Sequence, residues 1–175
     1  MKKTLLFICF IIGVQTANAQ ITEKGYKTFD WGTDKLAFTR VVEDCNQSFL
    51  DADLENCLIK GDSLFLNEFA YKYLNYRFYK GHFFEVNIDF DNGKLPYIIA
   101  KLTKLYGNPT VLSKETNPEV KNPGFILYEW RLSDTNINLL KKDESMPAWL
   151  NIASGSIKKT IPNKGEIDIE KLLFE

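Results

Sequence analysis

The chain has little of what catalysis and metal binding use. Its 175 residues hold one histidine, His82, three cysteines and two methionines. One histidine cannot supply a histidine-built zinc site, and no sequence signal places a serine or cysteine nucleophile beside it. The ten glycines are scattered, without the clustering that cradles phosphates. Basic charge is not in excess, with 22 Lys and Arg against 23 Asp and Glu and a net charge of −1. Nucleic acid and anionic membranes call for clustered basic residues, so neither is an expected partner. After the first twenty residues there is no second long apolar run, low-complexity tract or linker, which argues for one domain that does not span a membrane.

What is present starts with a leader. Lys2 and Lys3 precede an apolar run from Leu5 to Val14, then Ala17-Asn18-Ala19 and Gln20. A charged n-region, a short h-region and an A-x-A exit predict a secretory signal peptide over residues 1–19, cleaved before Gln20. The mature chain, residues 20–175, is then a single secreted or periplasmic domain. Cleavage removes Lys2, Lys3 and Cys9, leaving 20 basic against 23 acidic residues and a pair of cysteines, Cys45 and Cys57. In an oxidising compartment so close a pair predicts a disulfide, worth roughly 2 to 3 kcal/mol. The alternatives are free thiols or two metal ligands, and the second lacks partners.

The stretch "FDWGTDKLAF" from Phe29 has a shortened echo, "FDNGKLPY", from Phe90. After the first copy, Thr33 as N-cap, Asp34 in the first turn and a loosely apolar face predict a short helix over residues 34–44. After the second, Leu95, Ile98, Ile99, Leu102 and Leu105 recur at helical spacing. Pro96 sits in the first turn, and Gly107 and Pro109 stop the run. Between the helices, Leu74, Tyr76 and Phe78 alternate with Tyr73, Asn75, Arg77 and Tyr79, and Phe84, Val86, Ile88 and Phe90 alternate with Phe83, Glu85, Asn87 and Asp89. A loop of Lys80, Gly81 and His82 sets Phe78 against Phe84, Tyr76 against Val86 and Leu74 against Ile88, with Arg77 opposite Glu85 and Asn75 opposite Asn87. A second hairpin turns near Ser133 to Asn136, pairing Leu132 with Ile137 and Trp130 with Leu139. The runs "CLIKG", "SLFL" and "AWLNIAS" read as further strands, and the tail at 166–174 reads equally as helix or strand. The fold class this predicts is α+β, an antiparallel sheet with two main helices on one face. The repeated order suggests tandem helix-plus-hairpins halves over residues 29–89 and 90–154.

Candidate chemistry is thin. Asp30 and Asp91 stand at helix starts, where a carboxylate repels an anion and caps the helix instead. Asp51, Asp53 and Glu55 have the spacing of a calcium loop, but Asn56 and Asp62 stand where Gly and Glu are needed, so a solvated acidic loop is expected. "SIKK" from Ser156 matches S-x-x-K without its partner motifs. No catalytic residue, metal or cofactor is predicted. The positive feature is the outer face of the aromatic hairpin, where Tyr73, Tyr79 and Phe83 are flanked by Arg77 and Glu85, a composition typical of partner-binding surfaces.

"WGT" opening one helix and "LYGNP" closing the next resemble small envelope domains of the SmpA/OmlA type. The doubled helix-plus-hairpins order is similar to the tandem β-lactamase inhibitor protein family. Both resemblances imply a non-catalytic protein-binding module, the second through a concave sheet face. The expected function is therefore a secreted or periplasmic, non-enzymatic interaction module, an envelope accessory or inhibitor protein. It would bind a protein partner through Tyr73, Arg77, Tyr79, Phe83 and Glu85. A small apolar or sugar ligand held by the same aromatics is the second expectation and a hydrolase the third.

Overall fold

The structure is a computed structural model that describes residues 21–38, 42–48, 51–59, 73–113, 116–119, 124–141 and 147–161. The predicted signal peptide, the "SLFL" strand and the tail at 166–174 lie outside the described residues. The chain opens with a small antiparallel sheet of β1 (Ile21–Thr22), β2 (Gly25–Tyr26) and β3 (Phe29–Asp30). A single 3-10 turn, Lys35–Phe38, follows.

Alternating apolar and polar residues then build the main layer. Its first four strands are β4 (Val42–Gln47), β5 (Leu54–Ile59), β6 (Tyr73–Tyr79) and β7 (His82–Phe90). The helix α1 (Leu95–Tyr106) follows, and then β8 (Thr110–Leu112), β9 (Ile126–Arg131), β10 (Thr135–Lys141) and β11 (Ala148–Ser154). One helical turn, α2 (Gly155–Lys158), closes the described chain. The eight strands form one antiparallel sheet in the order β4-β5-β6-β7-β11-β10-β9-β8. It consists of two four-stranded meanders joined through their last strands.

One face of this sheet is the core. Leu74, Ile88, Leu150 and Leu139 lie side by side across four strands, and Tyr76, Val86, Ile152, Ile137 and Trp130 form the next row. The buried stripe of α1, Leu95, Ile98 and Leu102, packs on this face together with Ile21, Tyr26 and Phe38. The helix end is pinned by polar contacts. Gly107, at φ 83°, donates its N–H to the Thr103 carbonyl, and its own carbonyl accepts from Trp130 Nε1 at 2.8 Å. The Tyr106 hydroxyl donates to the Ile21 carbonyl at 2.9 Å. Burial, only partly opposed by that backbone bond, pushes the phenol up to about 12.

The expected pair of helices on one sheet face is not what forms. The second helix is present as read, but among the described residues of the segment expected to be helical, 34–44, Lys35–Phe38 form a 3-10 turn and residues from Val42 on belong to β4. Tertiary pairing decides this. Residues 42–47 pair with β5, with Cys45 directly opposite Cys57, and a strand is the only local structure that holds that register. The two "FD-x-G" corners differ accordingly. Gly32 takes φ 86°, whereas Gly93 lies in a 3-10 turn, Asn92–Lys94, at negative φ. Neither predicted cap forms as read. Thr33 donates its hydroxyl to the Asp30 carbonyl, Asp34 accepts from the Leu36 N–H, and Asp91 makes no side-chain cap.

Both hairpins are tighter than expected. In the aromatic hairpin, Leu74 to Arg77 pair with Ile88 to Glu85 as predicted. The loop, however, is two residues, Lys80 and Gly81, both at positive φ (51° and 78°) as a type I′ turn requires. Phe78 therefore pairs with Phe83 and Tyr79 with His82, leaving Phe84 as the extra residue of a bulge. In the second hairpin Trp130 pairs with Ile137 and Tyr128 with Leu139, because Leu132 N–H already bonds the Thr135 carbonyl. That slip of two residues preserves the faces.

The disulfide between Cys45 and Cys57 is formed, with Cα atoms 4.1 Å apart across β4 and β5. Replacing Cys45 with Ser is expected to lower unfolding stability by roughly 2 to 3 kcal/mol in chemical denaturation. The same loss should follow reduction of the native protein, and Cys45→Ser should then be insensitive to reductant.

Candidate functional site

The α1 layer covers one face of the sheet, so the side chains between the core positions define the other. Strand register arranges them in rows. Asn56, Arg77, Glu85, Ala153, Asn136 and Arg131 form one. Leu58, Asn75, Asn87, Asn151, Asn138 and Glu129 form the next. Tyr73, Asp89, Trp149, Leu140 and Leu127 form a third, whose inner members make a small apolar cluster with Leu112 and Phe125.

The five residues expected at a partner surface divide across the sheet. Tyr73 is 53% exposed, and Arg77 and Tyr79 are half-buried on the outer side. Phe83 is fully buried in the core, its ring centroid 4.9 Å from Trp31, 5.1 Å from Phe38 and 5.4 Å from Tyr76. The two-residue turn and its bulge put it there, since they advance Phe83 onto the face that a three-residue loop would give to Phe84. Leu58, 41% exposed and paired with Asn75, adds an apolar group beside Tyr73 that the aromatic count overlooked.

Glu85 faces outward but is completely buried, beneath two cations. Arg77 Nη1 lies 2.5 Å from Oε1, Lys158 Nζ lies 3.1 Å from Oε2, and Asn87 Nδ2 donates to Oε1 at 2.8 Å. Arg77 is itself fixed by Nε donating to Asn56 Oδ1 at 2.9 Å and by stacking over Phe84, 5.5 Å from the ring centroid. Burial pushes the Glu85 carboxyl up, but Lys158, Arg77 and the hydrogen bonds from Arg77 and Asn87 outweigh it. The group therefore titrates below its ordinary value of 4.5. A buried carboxylate so neutralised holds three strands and α2 in one geometry and is a scaffold, with no free edge for a substrate.

Beyond α2 the outer face opens into a groove of 510 Å³. Its floor is Glu129, Arg131, Asn136 and Asn138, and its wall is Ser133 and Asp134 from the hairpin turn with Ser156 and Lys159 from the α2 region. Asp134 accepts hydrogen bonds from both serine hydroxyls, Ser154 at 2.8 Å and Ser156 at 3.0 Å, and from the Ser156 N–H at 2.8 Å. Burial is the largest single influence and raises the Asp134 carboxyl, but the hydrogen bonds from Ser154 and Ser156 together with Lys159 outweigh it, so the group titrates below its ordinary value. The "SIKK" serine thus donates to the ionised Asp134 carboxylate, a weak base that it shares with the Ser154 hydroxyl. His82 is exposed at the start of β7 with Nδ1 3.1 Å from the Gly32 carbonyl. Cys45, Glu55 and Cys57 come within metal-ligating distance of one another, but both sulfurs are spent in the disulfide and Glu55 is bound by Lys35. No helix among the described residues is long and apolar enough to cross a membrane.

Of the asparagine row, the sequence placed only Asn75 and Asn87 opposite each other. The signal for the whole row was nonetheless present, as an Asn between two apolar residues in each of four strands: Leu74-Asn75-Tyr76, Val86-Asn87-Ile88, Ile137-Asn138-Leu139 and Leu150-Asn151-Ile152. Comparison with protein-family models, with characterised protein sequences and with solved structures finds no match.

Proposed function

We propose that the chain is an exported, non-enzymatic interaction protein that docks a protein partner on the β5–β6 side of its outer sheet face. The observation that carries this reading is the exposure of Tyr73 and Leu58, on adjacent strands of a face that α1 leaves uncovered. An aromatic and an aliphatic anchor beside Asn75, Arg77 and Tyr79 give the apolar centre and polar surround of a recognition patch. The Arg77–Glu85–Lys158 cluster holds the patch rigid, which reduces the ordering cost of binding. Export is supported by the leader-like start of the sequence and by the disulfide.

Tyr73→Ser combined with Leu58→Ser is expected to lower unfolding stability by no more than about 1 kcal/mol per site, since Tyr73 and Leu58 are already 53% and 41% exposed. The double variant should lose the partner that the intact protein retains through affinity purification from an envelope extract. Recovery of the same partner in the same yield would overturn the assignment.

A further inference from the structure

The amide row has a direction. Glu85 is ionised and only accepts, so Asn87 must turn its Nδ2 to it, as it does at 2.8 Å. The Asn87 oxygen then faces β11 and accepts from Asn151 Nδ2 at 2.9 Å. Asn151 is left with its oxygen as the end of the relay. That oxygen is buried and, among the described residues, meets no donor. A buried acceptor without a donor costs about 1 to 3 kcal/mol; Asn151 is one register position from Asn138 but does not itself line the groove. Next in register is Asn138, half-buried on the groove floor, and two residues before it is Asn136. Neither amide makes a hydrogen bond to the described residues, so both are uncommitted.

The charges of the groove are already matched. Arg131 pairs with Glu129 at 3.6 Å, and Asp134 is saturated by the serines and Lys159. An ionic ligand would find no uncompensated partner. An apolar ligand would find Leu132 as the only large apolar side chain among the described lining residues. What remains are amides and hydroxyls, groups that donate and accept at once and match adjacent hydroxyls of a ligand. From this we infer that the groove binds a neutral, hydroxyl-rich ligand, a short saccharide. Asn136 and Asn138 contact its hydroxyls, and the relay from Glu85 through Asn87 to Asn151 ties β7 to β11, the strand paired with theirs. The volume suits a small ligand, and without an aromatic platform the affinity is weak.

The site is separate from the proposed partner patch, and one experiment distinguishes them. Isotope-labelled protein is titrated with maltotriose and chitotriose, with glucose 6-phosphate as the charged comparison, and the side-chain amide signals of Asn136, Asn138 and Asn151 are followed. Saturable shifts at these three are expected with a neutral sugar at on the order of 1 to 10 mM. Asn138→Ala and Asn136→Ala, with unfolding midpoints within a few degrees of the parent, should weaken binding at least about tenfold, while Tyr73→Ser should bind as the parent does. Absence of shifts at these amides with both neutral sugars would overturn the inference. So would stronger binding of the phosphate sugar, shifts confined to the Tyr73 patch, or variants that bind unchanged.

Discussion

Phe83→Ala should destabilise the protein by about 3 to 5 kcal/mol, the usual cost of removing a buried phenyl ring from a packed core. Phe83 is fully buried, and its neighbours Trp31, Phe38, Tyr76 and Phe78 come from the N-terminal corner, the 3-10 turn and β6. The space left cannot collapse easily, because the backbone on both sides is tied. Phe83 N–H bonds the Thr33 carbonyl at 2.9 Å, and the Phe83 carbonyl accepts from Gly32 N–H at 2.7 Å. Thermal unfolding should fall by on the order of 10 °C. A loss below about 1 kcal/mol would place Phe83 on the solvent side and restore a three-residue loop.

Arg77→Met should cost about 3 kcal/mol, at the low end for breaking a buried ion pair, since Lys158 still reaches Glu85. Methionine keeps the apolar stem over Phe84 but leaves the carboxylate short of a charge partner and a donor. The pH dependence separates this from lost packing. In the parent, the folded carboxyl titrates below its ordinary value, so the folded state binds fewer protons than the unfolded one. Its contribution is therefore complete above about pH 4.5 and is lost as the pH falls through the lower folded value. In Arg77→Met, burial is less opposed, the folded value rises, and the acid loss of stability begins at higher pH. Adding Glu85→Met should recover most of the loss, because an apolar pair carries no desolvation penalty. Denaturation from pH 3 to 7 checks both; an acid limb that does not move would contradict the ion-pair reading.

How much of this was legible depended on whether a signal was local. Leu95 to Tyr106 carries its own period, start and stop, and the helix forms where it was read. The strand at Ala148–Ser154 and the pairing of Leu74 to Arg77 with Ile88 to Glu85 were equally plain, since a slip would have parted Arg77 from Glu85. The 34–44 segment failed because a loosely apolar face fits either period, and its pairing with β5 lies in another part of the chain. The Cys45–Cys57 bond, inferred from the sequence, already implied two chains side by side there. Phe83 failed on a single loop residue, since one residue exchanges the faces of a strand end. The charged pair at Arg77 and Glu85 was visible, but its burial under Lys158 was not, because Lys158 arrives from 73 residues away.

The outer face near Tyr73 is proposed to receive a protein partner. The most direct test is a photo-cross-linking amino acid placed at position 73 in the expressing cell, with position 97 on the exposed side of α1 as the comparison. A discrete adduct from position 73, absent from position 97, is predicted. Adducts from position 97 alone, or none from position 73, would contradict it.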